Sequence, residues 1–169
     1  MTRFFLVLST ILVFNNVLAY DINSGDVIHL EVFGEPELAM DVTVDTLGYI
    51  TYPFVGKLRV ADKSVESVKA DVVAHLKDGY FINPQVTVFV KSFQPFFIQG
   101  EVATPGSYSF EIGMTVRKAI ALAGGLTERA SSRKIYLVRA GDNEKNEVKV
   151  GMDEKIFSGD IVQIKESFF

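Results

Sequence analysis

The sequence predicts an α+β fold in two consecutive modules, because the apolar period switches twice from strand-like to helix-like along the chain. Val86, Val88 and Val90 alternate as in a half-buried strand, whereas Val65, Val68, Val72 and Leu76 recur at helical spacing. The second half repeats the contrast. Phe96-Phe97-Ile98 is strand-like, and Val116, Ala119, Ile120 and Ala123 share one face of a short helix.

Taken in order, Ser24-Gly25-Asp26 is turn chemistry, and Ile28, Leu30 and Val32 then alternate with His29, Glu31 and Phe33 as a strand with one apolar face. Gly48 precedes a strand-like run from Tyr49 to Val55, in which Pro53 marks an edge or a strand end. Ser64 is placed to cap a helix running to about Lys77, with Gly79 as the stop. Asn83-Pro84 turns the chain into the strand around Val88. These elements make a first unit of about residues 20–92, strands around one amphipathic helix.

The second unit continues from the Phe96 strand through the turn Thr104-Pro105-Gly106. Thr115 caps the short helix and Gly124-Gly125 ends it. Ile135 to Arg139 reads as a strand, Gly141 to Asn146 as a polar loop, and Val148 to Val150 as a strand that pairs back. Ile161, Val162 and Ile164 form the last strand. Ser24-Gly25-Asp26-Val27-Ile28-His29-Leu30 resembles Ser158-Gly159-Asp160-Ile161-Val162-Gln163-Ile164, a similarity short enough to be recurring turn chemistry.

Residues 1–19 read as a secretory signal peptide. Arg3 is the positive start, Phe4 to Phe14 the apolar run, and Val17-Leu18-Ala19 a cleavage site before Tyr20. Asn15-Asn16 interrupt the apolar stretch short of the roughly 20 residues a membrane span needs. Cleavage removes Arg3 from the 17 basic residues, so 16 remain against 21 acidic ones, a net charge of −5. That balance argues against nucleic acid or anionic lipid as the main partner. Without cysteine there is no disulfide, no thiolate metal site and no cysteine nucleophile.

Few residues advertise catalysis. Phosphate loop, nucleophile elbow and metal-helix motifs are all missing from the sequence. His29 with Glu31, and His75 with Asp78, are close enough in sequence to form small acid/base or metal pairs. Strand alternation already places the first pair on the polar face, and a histidine near a helix C-terminus suits the dipole. No enzyme, cofactor or metal site is expected. Two aromatic clusters, Tyr49, Tyr52 and Phe54, and Phe93, Phe96 and Phe97, are candidate glycan or interface contacts, because aromatic faces stack on sugar rings.

Several segments together resemble the bacterial polysaccharide export proteins, in which an export domain precedes a soluble-ligand-binding β-grasp domain. The first resemblance lies in Tyr20 to Asp26, Tyr49-Ile50-Thr51-Tyr52-Pro53-Phe54-Val55-Gly56 and Tyr80-Phe81-Ile82-Asn83-Pro84-Gln85-Val86. The second lies in Gly100-Glu101-Val102-Ala103-Thr104-Pro105-Gly106-Ser107-Tyr108, Ala123-Gly124-Gly125-Leu126-Thr127, Arg139 and Gly159-Asp160-Ile161-Val162. The resemblance implies an export domain over 20–92, a β-grasp domain over 93–169, and a ring of identical subunits that conducts polysaccharide. It further implies an inner-membrane copolymerase as partner and a location in the periplasm at the outer membrane. Tyr20 stands where many members carry a lipid-modified cysteine, and no amphipathic pore helix follows the last strand, so a separate outer-membrane β-barrel is expected to supply the pore. The alternative is a periplasmic glycan-binding or regulatory module that forms no conduit. A glycan-modifying enzyme built on His29 and Glu31 is the third reading.

Overall fold

The computed structural model describes residues 20–142 and 146–167. The expected signal peptide, residues 143–145 of the polar loop and Phe168-Phe169 lie outside the described residues.

The architecture is α+β, with two hydrophobic cores in succession. In the first, strand β1 (Val27–Val32) is the centre of a three-stranded antiparallel sheet, flanked by β2 (Glu35–Thr43) and β5 (Val86–Ser92). The register sets Ile28 opposite Val42 and Val90, and Leu30 opposite Met40 and Val88. One face of the sheet therefore carries the apolar side chains, as period-two alternation requires. Helix α1 (Val65–Lys77) seals that face with Val68, Val72 and Leu76, all buried. Its start is fixed by Ser64, whose Oγ accepts from the Ser67 N–H at 3.2 Å.

A separate hairpin of β3 (Tyr49–Tyr52) and β4 (Gly56–Arg59) buries Ile50, Tyr52 and Leu58 against the same core. The strand expected from Tyr49 to Val55 thus stops at Tyr52, because Pro53 lacks the N–H to continue a ladder and turns the chain. β2 was not anticipated. Leu38, Met40 and Val42 do alternate, but Pro36 and the acidic Glu35, Glu37 and Asp41 on this edge strand obscure the pattern.

The second core is enclosed by a five-stranded mixed sheet in the order β7 (Gly106–Tyr108), β6 (Phe96–Gly100), β10 (Ile161–Glu166), β8 (Ala130–Val138), β9 (Val148–Val150). β6 and β10 run parallel at its centre, and the other pairs are antiparallel. Helix α2 (Val116–Leu122), capped by Thr115, contributes Val116, Ala119 and Ile120 to the core. β8 starts five residues before the expected Ile135. Its first half is polar and half exposed, so no apolar period announces it.

Candidate functional site

The two cores meet at a joint made by the two similar Ser-Gly-Asp segments. Each aspartate is buried just ahead of a sheet strand, and each binds its surroundings in the same way. Asp26 Oδ2 accepts from the Asn23 N–H three residues back at 2.9 Å, and Oδ1 from the Gln94 N–H at 2.8 Å. Asp160 Oδ2 accepts from the Phe157 N–H, again three back, at 2.9 Å, and Oδ1 from the Ala140 N–H at 3.0 Å. Gln94 and Ala140 are the residues where the antiparallel neighbours, β5 and β8, leave the sheet. The short sequence similarity is therefore one local device used twice, a carboxylate that clamps its own turn and the exit of the adjacent strand.

Only the remaining partner differs. Asp26 takes the Tyr20 hydroxyl at 2.5 Å, and Asp160 takes Arg139 Nη1 at 2.7 Å. Arg139 also reaches Glu154 at 2.9 Å and lies over the Phe157 ring. Tyr20 couples the two devices, since its hydroxyl lies 2.8 Å from Ser158 Oγ as well. Its ring packs edge-on against Phe93, with centroids 4.8 Å apart, and both rings meet Phe110. One tyrosine thus packs against the second core and hydrogen-bonds to the aspartate of the first domain.

The glycines of the two segments serve the same joint. A Cβ on Gly25 would fall 2.8 Å from the Gln94 carboxamide, and one on Gly159 would fall 2.7 Å from Gln94 Oε1. Gln94 lies between them because neither has a side chain. Its carboxamide makes no hydrogen bond among the described residues, and it borders an open cleft of about 810 Å³. Ser24, Thr43, Asp45, Arg59 and Gly141 also line that cleft. Asp45 is held below the usual carboxylate range by the N–H groups of Tyr49 and Leu47 and by Lys57, and Arg59 pairs with Asp62. The cleft offers hydrogen-bonding groups for holding a ligand or a neighbouring surface.

The residues singled out in the sequence do not converge. His29 Nδ1 lies 2.7 Å from Asp41 Oδ1 across the β1–β2 ladder, so its partner is Asp41 rather than Glu31. Lys91 also bonds Asp41, and these two neighbours hold the Asp41 carboxyl below its ordinary range. His75 Nδ1 approaches the Asp71 carbonyl one helical turn back, not Asp78. Among the described residues, no group of three or more His, Cys, Asp or Glu could hold a metal.

Of the six aromatic candidates, Tyr52 and Phe96 are buried in their own cores, because period two puts them on the inner faces; a glycan cannot reach them. Phe93 belongs to the joint. Tyr49 lies half-buried under the Lys57 ammonium, while Phe54 and Phe97 are exposed on different domains. Sequence reasoning missed the roles of Tyr20, Gln94 and the two aspartates. The repeated Ser-Gly-Asp was the signal for the aspartates.

Burial also gives the tyrosines a pH signature. Tyr20 is pushed above its ordinary value by burial first and by its bond to Asp26 second, and burial pushes Tyr52 up to about 12. An unfolded chain loses these protons near pH ~10 while the folded one keeps them. Stability is therefore fully present below pH ~10 and falls as pH rises through the folded values. Tyr52→Phe is expected to flatten this alkaline limb, read as the slope of urea stability against pH between about 9.5 and 11.5. An unchanged slope would contradict the assignment.

Comparison with known proteins finds two successive family matches. Residues 15–91 match the family described as polysaccharide biosynthesis/export protein, and residues 95–150 match the SLBB domain. The chain is 30% identical over 108 residues to the exopolysaccharide production protein ExoF of Rhizobium meliloti (strain 1021), covering 61% of this chain and 26% of that protein. It is 27% identical over 181 residues to the EPS I polysaccharide export outer membrane protein EpsA of Ralstonia nicotianae, covering 87% of this chain and 47% of that protein. The polysialic acid transport protein KpsD of Escherichia coli is 27% identical over 133 residues, covering 78% of this chain and 24% of KpsD. The chain therefore spans between about a quarter and a half of the length of these relatives. With an export match and an SLBB match following one another over its two cores, the chain belongs to the bacterial polysaccharide export protein family.

Proposed function

We propose that this protein is a non-enzymatic envelope component of an exopolysaccharide or capsule export machine, and that its copies assemble into a ring that conducts polymer towards the outer membrane. The observation that carries the reading is the Tyr20 joint. A ring built from head-to-tail contacts closes only if every subunit presents its two contact faces at one fixed angle. A flexible connection between domains would spread that angle, and the doubled aspartate clamp with a shared tyrosine holds it.

A single copy is too small to enclose a polymer, since even an eight-stranded barrel is filled by its own side chains. Among the described residues no helix is long and apolar enough to cross a membrane, which says nothing of β-barrels. The same reading takes as partners a separate outer-membrane β-barrel for the passage and an inner-membrane polysaccharide copolymerase for the supply of polymer. The relatives named for exopolysaccharide, EPS I and polysialic acid support polysaccharide as the cargo. Periplasmic residence follows from the expected signal peptide and is part of the proposal.

The mass of the purified assembly tests the ring. Native mass spectrometry or sedimentation is expected to give one closed oligomer larger than a dimer, as head-to-tail contacts that close into a ring require. A monomer or dimer that persists at high concentration and binds oligosaccharide would favour the glycan-binding or regulatory module instead.

A further inference from the structure

The end of the first domain at the β3–β4 turn carries two exposed aromatic rings, Phe54 and Tyr80. β3 and β4 are joined through Pro53, Phe54 and Val55, with the Val55 N–H bonded to the Tyr52 carbonyl at 3.2 Å. Phe54 occupies the third position of that turn at φ +63°. Turns with proline second and a positive φ third normally take glycine there, because a Cβ crowds the backbone in that conformation. A phenylalanine held in it is a local strain whose return must lie elsewhere.

Packing supplies little of that return. Phe54 is 53% exposed and its neighbour Tyr80 is 56% exposed, with ring centroids 5.0 Å apart. Phe81, which rests on the first core, meets Phe54 edge-on at 6.0 Å. The loop bearing Tyr80 and Phe81 is itself fixed, since the Phe81 N–H donates to the Leu76 carbonyl at 2.8 Å and Gly79 takes φ +92°. Lys77 stands at the rim of the adjoining recess, and its ammonium has no hydrogen-bond or ion-pair partner among the described residues. Exposed rings on a rigid base, beside an uncommitted donor, are the chemistry that holds a sugar. The C–H face of a pyranose meets the negative face of an aromatic ring, and an ammonium donates to the ring's oxygens.

We infer that Phe54, Tyr80 and Phe81 form a stacking platform for pyranose rings, with Lys77 hydrogen-bonding their hydroxyl or carboxylate substituents. The inference rests on the export reading for its ligand class. It deepens the aromatic proposal by replacing buried Tyr52 with Tyr80 and Phe81.

The test uses the full mature chain, with maltohexaose as a neutral probe and an oligogalacturonate as an acidic one, in calorimetric or NMR titrations. Wild type is expected to bind at least one of the two, and Phe54→Gly and Tyr80→Ala to weaken that binding about tenfold, the scale of one lost stacking contact. Phe54→Gly is also expected to keep or raise the melting temperature, because glycine relieves the positive φ. A role in packing alone would lower the melting temperature and leave binding unchanged, which would overturn the inference. So would wild type that binds neither probe, or self-association that Phe54→Gly abolishes. These titrations need no cells, so their failure is distinct from that of the export reading, which is decided in a strain lacking the protein.

Discussion

Asp26→Ala is expected to separate the two domains and to be among the most damaging substitutions in the chain. The carboxylate is fully buried and accepts from Tyr20, from the Asn23 N–H and from the Gln94 N–H. Alanine leaves two backbone donors without acceptors and leaves the tyrosine only Ser158 and Asn23. A buried unsatisfied donor loses roughly 1–3 kcal/mol, so the total is on the order of 3–5 kcal/mol. In a chain of this size that is a fall of about 10 °C or more in melting temperature. Scattering from Asp26→Ala should also show a broader distribution of shapes at temperatures where both cores remain folded. Asp26→Asn keeps one acceptor oxygen and should fall between. A melting temperature within about 2 °C of wild type would contradict the clamp.

Gly100→Ala is expected to unfold the second domain selectively. Gly100 ends β6 at φ +89°, opposite Ile164 of β10 in the parallel pair at the sheet centre. A Cβ there would lie 2.0 Å from the Ile164 carbonyl oxygen, which already accepts from the Glu101 N–H at 3.0 Å. Backbone cannot move aside as the end of a side chain can, so the central pairing must break or shift. Strain and a lost ladder together amount to about 4 kcal/mol or more. Amide exchange should show protection lost in β6, β8 and β10 but largely kept in α1 and β5, which belong to the other core. Uniform protection close to wild type would show that the pair tolerates the change.

Much of this architecture was legible because it is written in local periods. The α1 stripe of Val68, Val72 and Leu76, its Ser64 cap and the alternating valines of β5 all follow from spacing within a few residues. β2 was not legible, because Pro36 and three carboxylates on an edge strand outweigh its Leu38, Met40 and Val42. The candidate site was legible only in its parts. Ser24-Gly25-Asp26 and Ser158-Gly159-Asp160 were visible as similar strings, but Tyr20 touches Ser158 across 138 positions, a relation no window of sequence contains. The aromatic end was half visible. Phe54 was a candidate, and Tyr80-Phe81 belonged to the family resemblance, yet their contact depends on a positive φ that proline alone does not announce.

On the function proposed above, this protein acts in the path of polysaccharide out of the cell. The most direct measurement is the distribution of polysaccharide between surface and cell-associated fractions in a strain lacking it, with total synthesis followed in parallel. Accumulation within the envelope while synthesis continues is the expected result, reversed by the wild-type gene and not by Asp26→Ala. Unchanged export would contradict the account and leave glycan binding by the isolated protein as its leading activity.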